Sequence, residues 1–289
     1  MLSTPTLPAT PDAAGGRPAL SVVLITLNAA AQLRPCLESV GFADEIVVVD
    51  SGSGDGTQAL AAEFGARVLH QDWLGFGAQK QFAVEQATHD WVLCLDADER
   101  VTPALAASIR AALAAAGEAA PAAYRFARCN RFLGRYLRHG EGYPDWSLRL
   151  FDRRRARWSD DAVHEKVIAD GPVGTLAGDL LHDSADTIAA YLAKQNRYTT
   201  LAAEAAFAAG RRARARQVWG SPLIRFIKFF VVRRGARDGL PGFIHIAIGC
   251  FNSFTKYAKM IELERQTAAR APSPESRTPA ATSSPESRP

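Results

Sequence analysis

Cysteine is scarce and scattered. The 289-residue chain has four, Cys36, Cys94, Cys129 and Cys250, and no C-x-x-C pair. That spacing supplies neither a structural zinc set nor the dense cross-linking of a small secreted domain, and it suits a reducing cytoplasm. Long apolar runs are missing too: the patches Leu223 to Val232 and Leu240 to Phe254 are interrupted or shorter than the ~20 residues a spanning helix needs. Met1 to Pro18 has neither the basic start nor the apolar core of a signal peptide. Two complete motifs are also absent. The glycine loop 52–56 reads G-x-G-x-G and follows the second strand, which argues against a G-x-G-x-x-G dinucleotide fingerprint; His164-Glu165 has no second histidine at Ile168 or Ala169, which excludes an H-E-x-x-H zinc protease. Net charge is only +4, and no nucleic-acid module is recognisable, so nucleic acid ranks last among partners.

The content is otherwise that of a soluble globular protein, 47% hydrophobic and 22% charged, long enough for one large domain with an appendage. Arginine concentrates in 125–157 and again in 211–237, clusters that suit phosphates or plain solvated surface. The chemistry centres on Trp91-Val92-Leu93-Cys94-Leu95-Asp96-Ala97-Asp98-Glu99, an apolar run that ends abruptly in carboxylates. It reads as a buried strand emerging at the carboxyl edge of a sheet, where open α/β folds bind ligands. Two acids one residue apart repel unless a cation lies beside them, and hard ions such as Mg²⁺ are held by one or two carboxylates plus substrate phosphates. An acidic loop before the helix opened by Thr102-Pro103 would look the same.

Earlier segments repeat the pattern. Leu20–Thr26 and Glu45–Asp50 read as strands, the second again ending in acid, and Ser51–Thr57 is a loop of glycine and small polar residues able to approach an anion closely. Helices over 32–40, 58–64 and 75–87 alternate with these strands and with Arg67–His70, as in a doubly wound parallel sheet. The alternating aromatic and basic residues of Tyr124–Arg128 suit a sugar or phosphate platform, or an amphipathic edge strand.

Thr26-x-Asn28, Val49-Asp50-Ser51-x-Ser53-x-Asp55-Gly56-Thr57, Gly77-x-x-Lys80 and Leu95-Asp96-Ala97-Asp98-Glu99, in this order and spacing, resemble the nucleotide-binding half of family 2 glycosyltransferases. Trp146-Ser147-Leu148-Arg149-Leu150-Phe151, Val163-His164-Glu165 and Lys194-x-Asn196-Arg197-Tyr198 extend the resemblance to the subgroup similar to bacterial lipopolysaccharide-core glucosyltransferases, over roughly 20–259. It implies an α/β fold of GT-A type, a Rossmann-like, mostly parallel sheet with flanking helices. It also implies a nucleotide-sugar donor, a lipid-linked acceptor and a divalent cation, Mg or Mn. Asp50 would contact the nucleoside, with Thr26, Asn28, Ser51 and Asp55 beside it; Lys80 the base or phosphates; Asp96 the ribose or the metal; and Asp98 the metal. Two departures, Ala29 where an acid often stands and Gln81 where an Asn often stands, bear on which base or sugar is recognised.

An inverting displacement needs a base within reach of the acceptor hydroxyl. Glu165 is the candidate, with His164 orienting it or touching the diphosphate, and Asp160 and Asp161 are rivals. A solvated acid beside Lys166 would read identically. His182 is a further candidate for the metal or diphosphate, or a hydrogen-bonded structural histidine. A haloacid-dehalogenase-like phosphoryl transferase fits poorly, because Glu99-Arg100 follows the second Asp. A scaffold that has lost catalysis remains the non-enzymatic alternative. Past residue 183 the pattern turns helical, and Trp219, Arg225, Lys228, Arg233, Arg234, Lys256 and Lys259 flank the apolar patches. That composition predicts an appendage lying on anionic lipid at the inner face of the cytoplasmic membrane. A buried hairpin against the catalytic domain or a second subunit would use the same residues. The expected organisation is a disordered tail (1–18), a catalytic domain (19–183), an interfacial helical region (184–266) and a low-complexity tail (267–289) that contains Ser-Pro-Glu-Ser-Arg twice.

Overall fold

The computed structural model describes residues 17–117, 120–159, 161, 165–183 and 187–270. The chain divides at Ser184 into two compact units. In the first, β1 (Leu20–Thr26), α1 (Ala30–Ser39), β2 (Glu45–Asp50), α2 (Thr57–Glu63), β3 (Arg67–His70), α3 (Phe76–Gln86) and β4 (Trp91–Asp96) alternate strictly. After them come β5 (Glu99–Val101), α4 (Pro103–Ala114), β6 (Ala123–Phe132), β7 (Arg135–Tyr136), β8 (Asp145–Asp152), β9 (Ala156–Trp158), β10 (Val167–Ala169) and β11 (Val173–His182).

The sheet runs β3-β2-β1-β4-β8-β6-β11-β5, with β7 pairing β6, and β9 and β10 form a separate ribbon. Strands β1 to β4 are parallel to one another. From β8 onward the directions mix: β8 is antiparallel to β4 and β6, β11 is parallel to β6, and β5 is antiparallel to β11. The parallel half is buried on both faces, which is why β1, β2 and β4 are nearly continuous apolar runs. Val22, Leu24, Val48, Leu93 and Leu95 pack on one side with α1 and α4 residues such as Leu33 and Ile109. Val23, Val47, Val49, Val92 and Cys94 pack on the other with α3, Phe151 and Trp158.

β6 is no edge strand, since β8 and β11 pair with its two sides; its apolar residues Tyr124, Phe126 and Leu150 of β8 belong to the core. The basic residues between them face outward, Arg125 lying 5.2 Å from the Trp146 ring centroid. Three of the four thiols, Cys36, Cys94 and Cys129, are buried, and Cys250 is partly exposed.

The second unit is helical: α5 (Ile188–Ala208), α6 (Ala215–Phe226), a π-helical turn over 227–232, a 3-10 turn over 235–238 and α7 (Gly239–Arg270). Ala203, Ala206 and Met260 form its small core. Lys259 donates from α7 to the Asn196 carbonyl at 2.8 Å and to Thr199 Oγ1 at 2.9 Å on α5. Among the described residues, no helix is long and apolar enough to cross a membrane.

Candidate active site

The strand order reverses at β1, which has β2 on one side and β4 on the other, and ligands bind outside the carboxyl ends at such a switch point. Register brings Thr26 beside Asp50 and Ile25 beside Asp96, so the acids that end β2 and β4 flank one crevice.

Asp50 is fully buried and accepts from the Gly52 and Ser53 amides at 3.0 and 2.8 Å, Ser53 Oγ at 2.5 Å, Gln58 Nε2 at 2.7 Å and Thr26 Oγ1 at 2.8 Å. Burial alone would raise its pKa, but the Ser53, Gln58 and Thr26 donors hold it below the ordinary carboxylate value. It organises the glycine loop that follows. The loop is tied back to the end of β1: Asn28 Oδ1 accepts from the Gly54 amide at 3.0 Å and its own amide donates to Ser53 Oγ at 2.7 Å. Asn28 sits at φ 50°, where asparagine is one of the few non-glycine residues tolerated. Asp55 accepts from the Ala30 and Thr57 amides at 3.0 and 3.1 Å, joining the starts of α1 and α2. Ser51 Oγ accepts from the buried Gln79 amide at 3.1 Å. These residues shape the loop.

A chain of alternating charges runs from this crevice across β4 and β8. Lys80, carried into the interior by α3, lies 3.3 Å from Asp96 and 3.4 Å from Glu165, with its ammonium 4.9 Å from the Trp158 ring centroid. Arg149 of β8 binds the other oxygen of Asp96 at 2.8 Å and Glu99 at 3.3 Å, and Arg128 reaches Glu99 at 3.5 Å and Asp145 at 2.8 Å. Against a burial penalty, Arg149 and Lys80 depress the Asp96 pKa, whereas burial, reinforced by Asp96, raises that of Glu99. Sequence reasoning missed Arg149, Glu99, Arg128 and Trp158. One signal was available for Arg149: it shares a face with the core residue Phe151 in a period-2 strand, an odd place for a cation unless it has partners. Among the described residues its buried Nη1 has no hydrogen-bond partner.

Lys80, Arg149, Trp158, Glu165 and Lys166 line a cavity of about 330 Å³. Glu165 is held close because α3 approaches at a glycine: a Cβ on Gly77 would lie 2.7 Å from the Ser159 carbonyl oxygen and 3.3 Å from Glu165 Cβ. His164 and the rival base Asp160 lie outside the described residues.

Asp98 turns away from that network. Its Oδ2 lies 3.2 Å from His182 Nε2, and His182 Nδ1 is 2.7 Å from Asn130 Oδ1, so each ring nitrogen faces an oxygen. Burial lowers the His182 pKa, but the Asp98 carboxylate more than reverses this and the net direction is upward. The partnership follows from topology: β11 carries His182 opposite Glu99 of β5 and opposite Asn130 of β6, and the Asp183 amide donates to the Asp98 carbonyl at 2.9 Å. Among the described residues no three His, Cys, Asp or Glu side chains converge. A carboxylate and an imidazole side by side fit a hard divalent ion that takes its other ligands from substrate phosphates and water; they do not fit a closed protein cage. Asp96, the third residue expected at the metal, is engaged by Lys80 and Arg149.

The profile of Glycosyl transferase family 2 matches residues 21–168. A lipopolysaccharide core biosynthesis glycosyltransferase from Rhizobium meliloti is 35% identical over 250 residues, covering 84% of this chain and 92% of that protein. An uncharacterized glycosyltransferase from Rickettsia typhi is 28% identical, covering 84% and 87%. Among solved structures, a mannosyltransferase from Pyrobaculum calidifontis in complex with GDP-Man and Mn²⁺ aligns with a TM-score of 0.47 at 18% identity, covering 90% of this chain and 91% of that one.

Proposed function

The chain belongs to glycosyl transferase family 2, and from that premise we propose that it moves a hexose, glucose as the favoured sugar, from a UDP-sugar to a lipid-linked acceptor, with inversion at the anomeric carbon. The Rhizobium relative's role in lipopolysaccharide core biosynthesis makes the inner core of that lipid the acceptor class we assign. One observation carries the reading: Lys80 stands 3.3 Å from Asp96 at the donor crevice and 3.4 Å from Glu165 at the cavity, so donor side and base side meet in a single ammonium.

In this reading Glu165 takes the proton of an acceptor hydroxyl in the cavity as that oxygen bonds to the anomeric carbon. The bond from that carbon to the diphosphate breaks on the opposite face, and the nucleoside diphosphate leaves with the electron pair. Lys80, which bridges Asp96 and Glu165, would offset the charge growing on the diphosphate, with the Trp158 ring beside its ammonium. Asp98 and His182 would hold the divalent ion, which supplies Lewis-acid neutralisation of the diphosphate when bound. The exposed apolar and cationic residues of the helical unit would keep the enzyme on the inner face of the cytoplasmic membrane.

Thermal unfolding of the intact protein with UDP-, GDP- and dTDP-sugars, with and without Mn²⁺ or Mg²⁺, tests the donor and metal together. Stabilisation by one nucleotide-sugar that needs the metal, and its loss in Asp98→Ala with the fold intact, is the expected result. Undiminished transfer by that variant would remove the assignment, and the anomeric configuration of the product decides inversion.

A further inference from the structure

The helical unit holds a second cavity, of about 270 Å³, where α5, α6 and α7 come together. Its lining includes Tyr198, Ser221, Arg225, Ser253, Lys256 and Tyr257: two cations, hydroxyl donors from three helices and not one carboxylate among the lining residues. Ser221 Oγ and Ser253 Oγ are 2.8 Å apart across α6 and α7. The surroundings share the bias, for the segment 187–270 carries fifteen Lys and Arg against four Asp and Glu.

Hydrophobic side chains stand beside this opening. Trp219, two residues before Ser221, is 75% exposed, with its ring 6.0 Å from that of Phe254, and Phe254 stacks on the exposed Phe251 at 6.3 Å. Leu223 and Ile224, between Ser221 and Arg225, are 61% and 69% exposed. Exposed indole and aliphatic side chains next to a cationic, hydroxyl-lined recess match a ligand with one anionic end and one apolar end.

We infer that this recess seats the phosphate of an anionic membrane lipid, with Arg225 and Lys256 on its oxygens and Trp219, Leu223 and Ile224 among the acyl chains. The inference deepens the interfacial part of the proposed function and rests on it. It differs from diffuse attraction by a basic surface, because it assigns binding to two of the fifteen cations. Arg supplies planar, paired donors for phosphate oxygens, and the neighbouring hydroxyls complete the shell.

The test is cosedimentation of the full-length protein with phosphatidylcholine vesicles and with vesicles containing phosphatidylglycerol, at fixed salt. Arg225→Gln/Lys256→Gln is compared with Arg216→Gln/Arg265→Gln, which removes the same charge from the same two helices outside the recess. The recess pair should lose at least about tenfold more partitioning onto the anionic vesicles than the control pair, with unfolding temperatures unchanged. Equal losses would reduce the effect to diffuse charge and overturn the site. Wild type bound while the recess pair binds equally well would sink the site and leave membrane attachment standing. No binding by wild type to either vesicle would sink both. Protection from thermal unfolding by inorganic phosphate that the recess pair loses, with vesicle binding retained, would reassign the recess to a soluble anion. Should the double variant unfold, Lys256→Gln against Arg265→Gln makes the same comparison on α7 alone.

Discussion

Glu165 pairs with Lys80 and Asp98 with His182, and if they serve as base and metal ligand as proposed, their substitutions should separate chemistry from donor binding. Glu165→Gln keeps size and shape but cannot accept a proton, so kcat should fall by about 10²–10⁴-fold with metal-dependent nucleotide binding unchanged. An equal loss of nucleotide affinity, read by calorimetry, would instead make Glu165 a partner for Lys80 alone. Asp98→Asn should show the reverse weighting, losing metal-dependent nucleotide protection along with turnover. Glu45 yields a pH prediction remote from the site. It accepts from Ser21 Oγ at 2.5 Å, the Thr88 amide at 2.7 Å, Thr88 Oγ1 at 2.8 Å and Arg67 at 3.0 Å. Burial opposes ionisation, yet the Ser21, Thr88 and Arg67 donors bring its pKa from 4.5 down to about 2. A depressed folded pKa means that the stabilisation is complete above the unfolded value of 4.5 and is lost as pH falls toward 2. Glu45→Gln should therefore cost about 2 kcal/mol at pH 7, after discounting for partly solvated partners. Urea titrations of the two proteins should converge as pH drops through that window; a difference independent of pH would mean the loss lies in packing.

At the scale of elements, two glycines record how closely strands and helices approach. Gly178 stands at φ 96° in the irregularity of β11 between Thr175 and Asp179, and a Cβ there would lie 2.4 Å from the Leu105 amide nitrogen of α4. Gly178→Ala combines backbone strain with a clash and should cost about 3 kcal/mol, lowering the unfolding temperature by roughly 6–12 °C. Gly77→Ala should behave differently. Alanine favours the helix by up to about 1 kcal/mol, but its methyl would push on Ser159 and Glu165, so turnover should fall by about 10–100-fold with little change in melting. The contrast between these positions also shows what a sequence can disclose. Asp50, Asp96 and Asp98 were legible because each ends or follows an apolar run, and local pattern marks the carboxyl edge of a strand. The approach of His182 to Asp98 was legible only as one option among several. Arg149, Arg128 and Glu99 were not, because their pairing depends on β8 inserting beside β4 and on β6 lying inside the sheet. β11, which covers the other side of β6, starts fifty residues beyond the start of β6. The edge-strand reading of Tyr124–Arg128 failed for the same reason: alternation shows two unlike faces but does not reveal who covers the strand's sides.

At the scale of the whole molecule, a net charge of +4 conceals a division of labour. The helical segment 187–270 has eleven more cations than anions, so the rest of the chain carries seven more anions than cations. Attachment to anionic vesicles should accordingly weaken at least about tenfold between low salt and roughly 0.5 M, where the Debye length shrinks to a few ångströms. Retention at high salt would assign attachment to Trp219, Leu223 and their apolar neighbours alone. The distribution of sulfur has a practical consequence for such measurements. Cys36, Cys94 and Cys129 are enclosed, and hydrophobic surroundings push the Cys94 thiol up to about 11 even though Trp158 Nε1 donates to its Sγ. A maleimide dye given to the native enzyme should therefore couple at Cys250 on α7 before any other position, installing a single optical reporter on the helical unit without altering a residue.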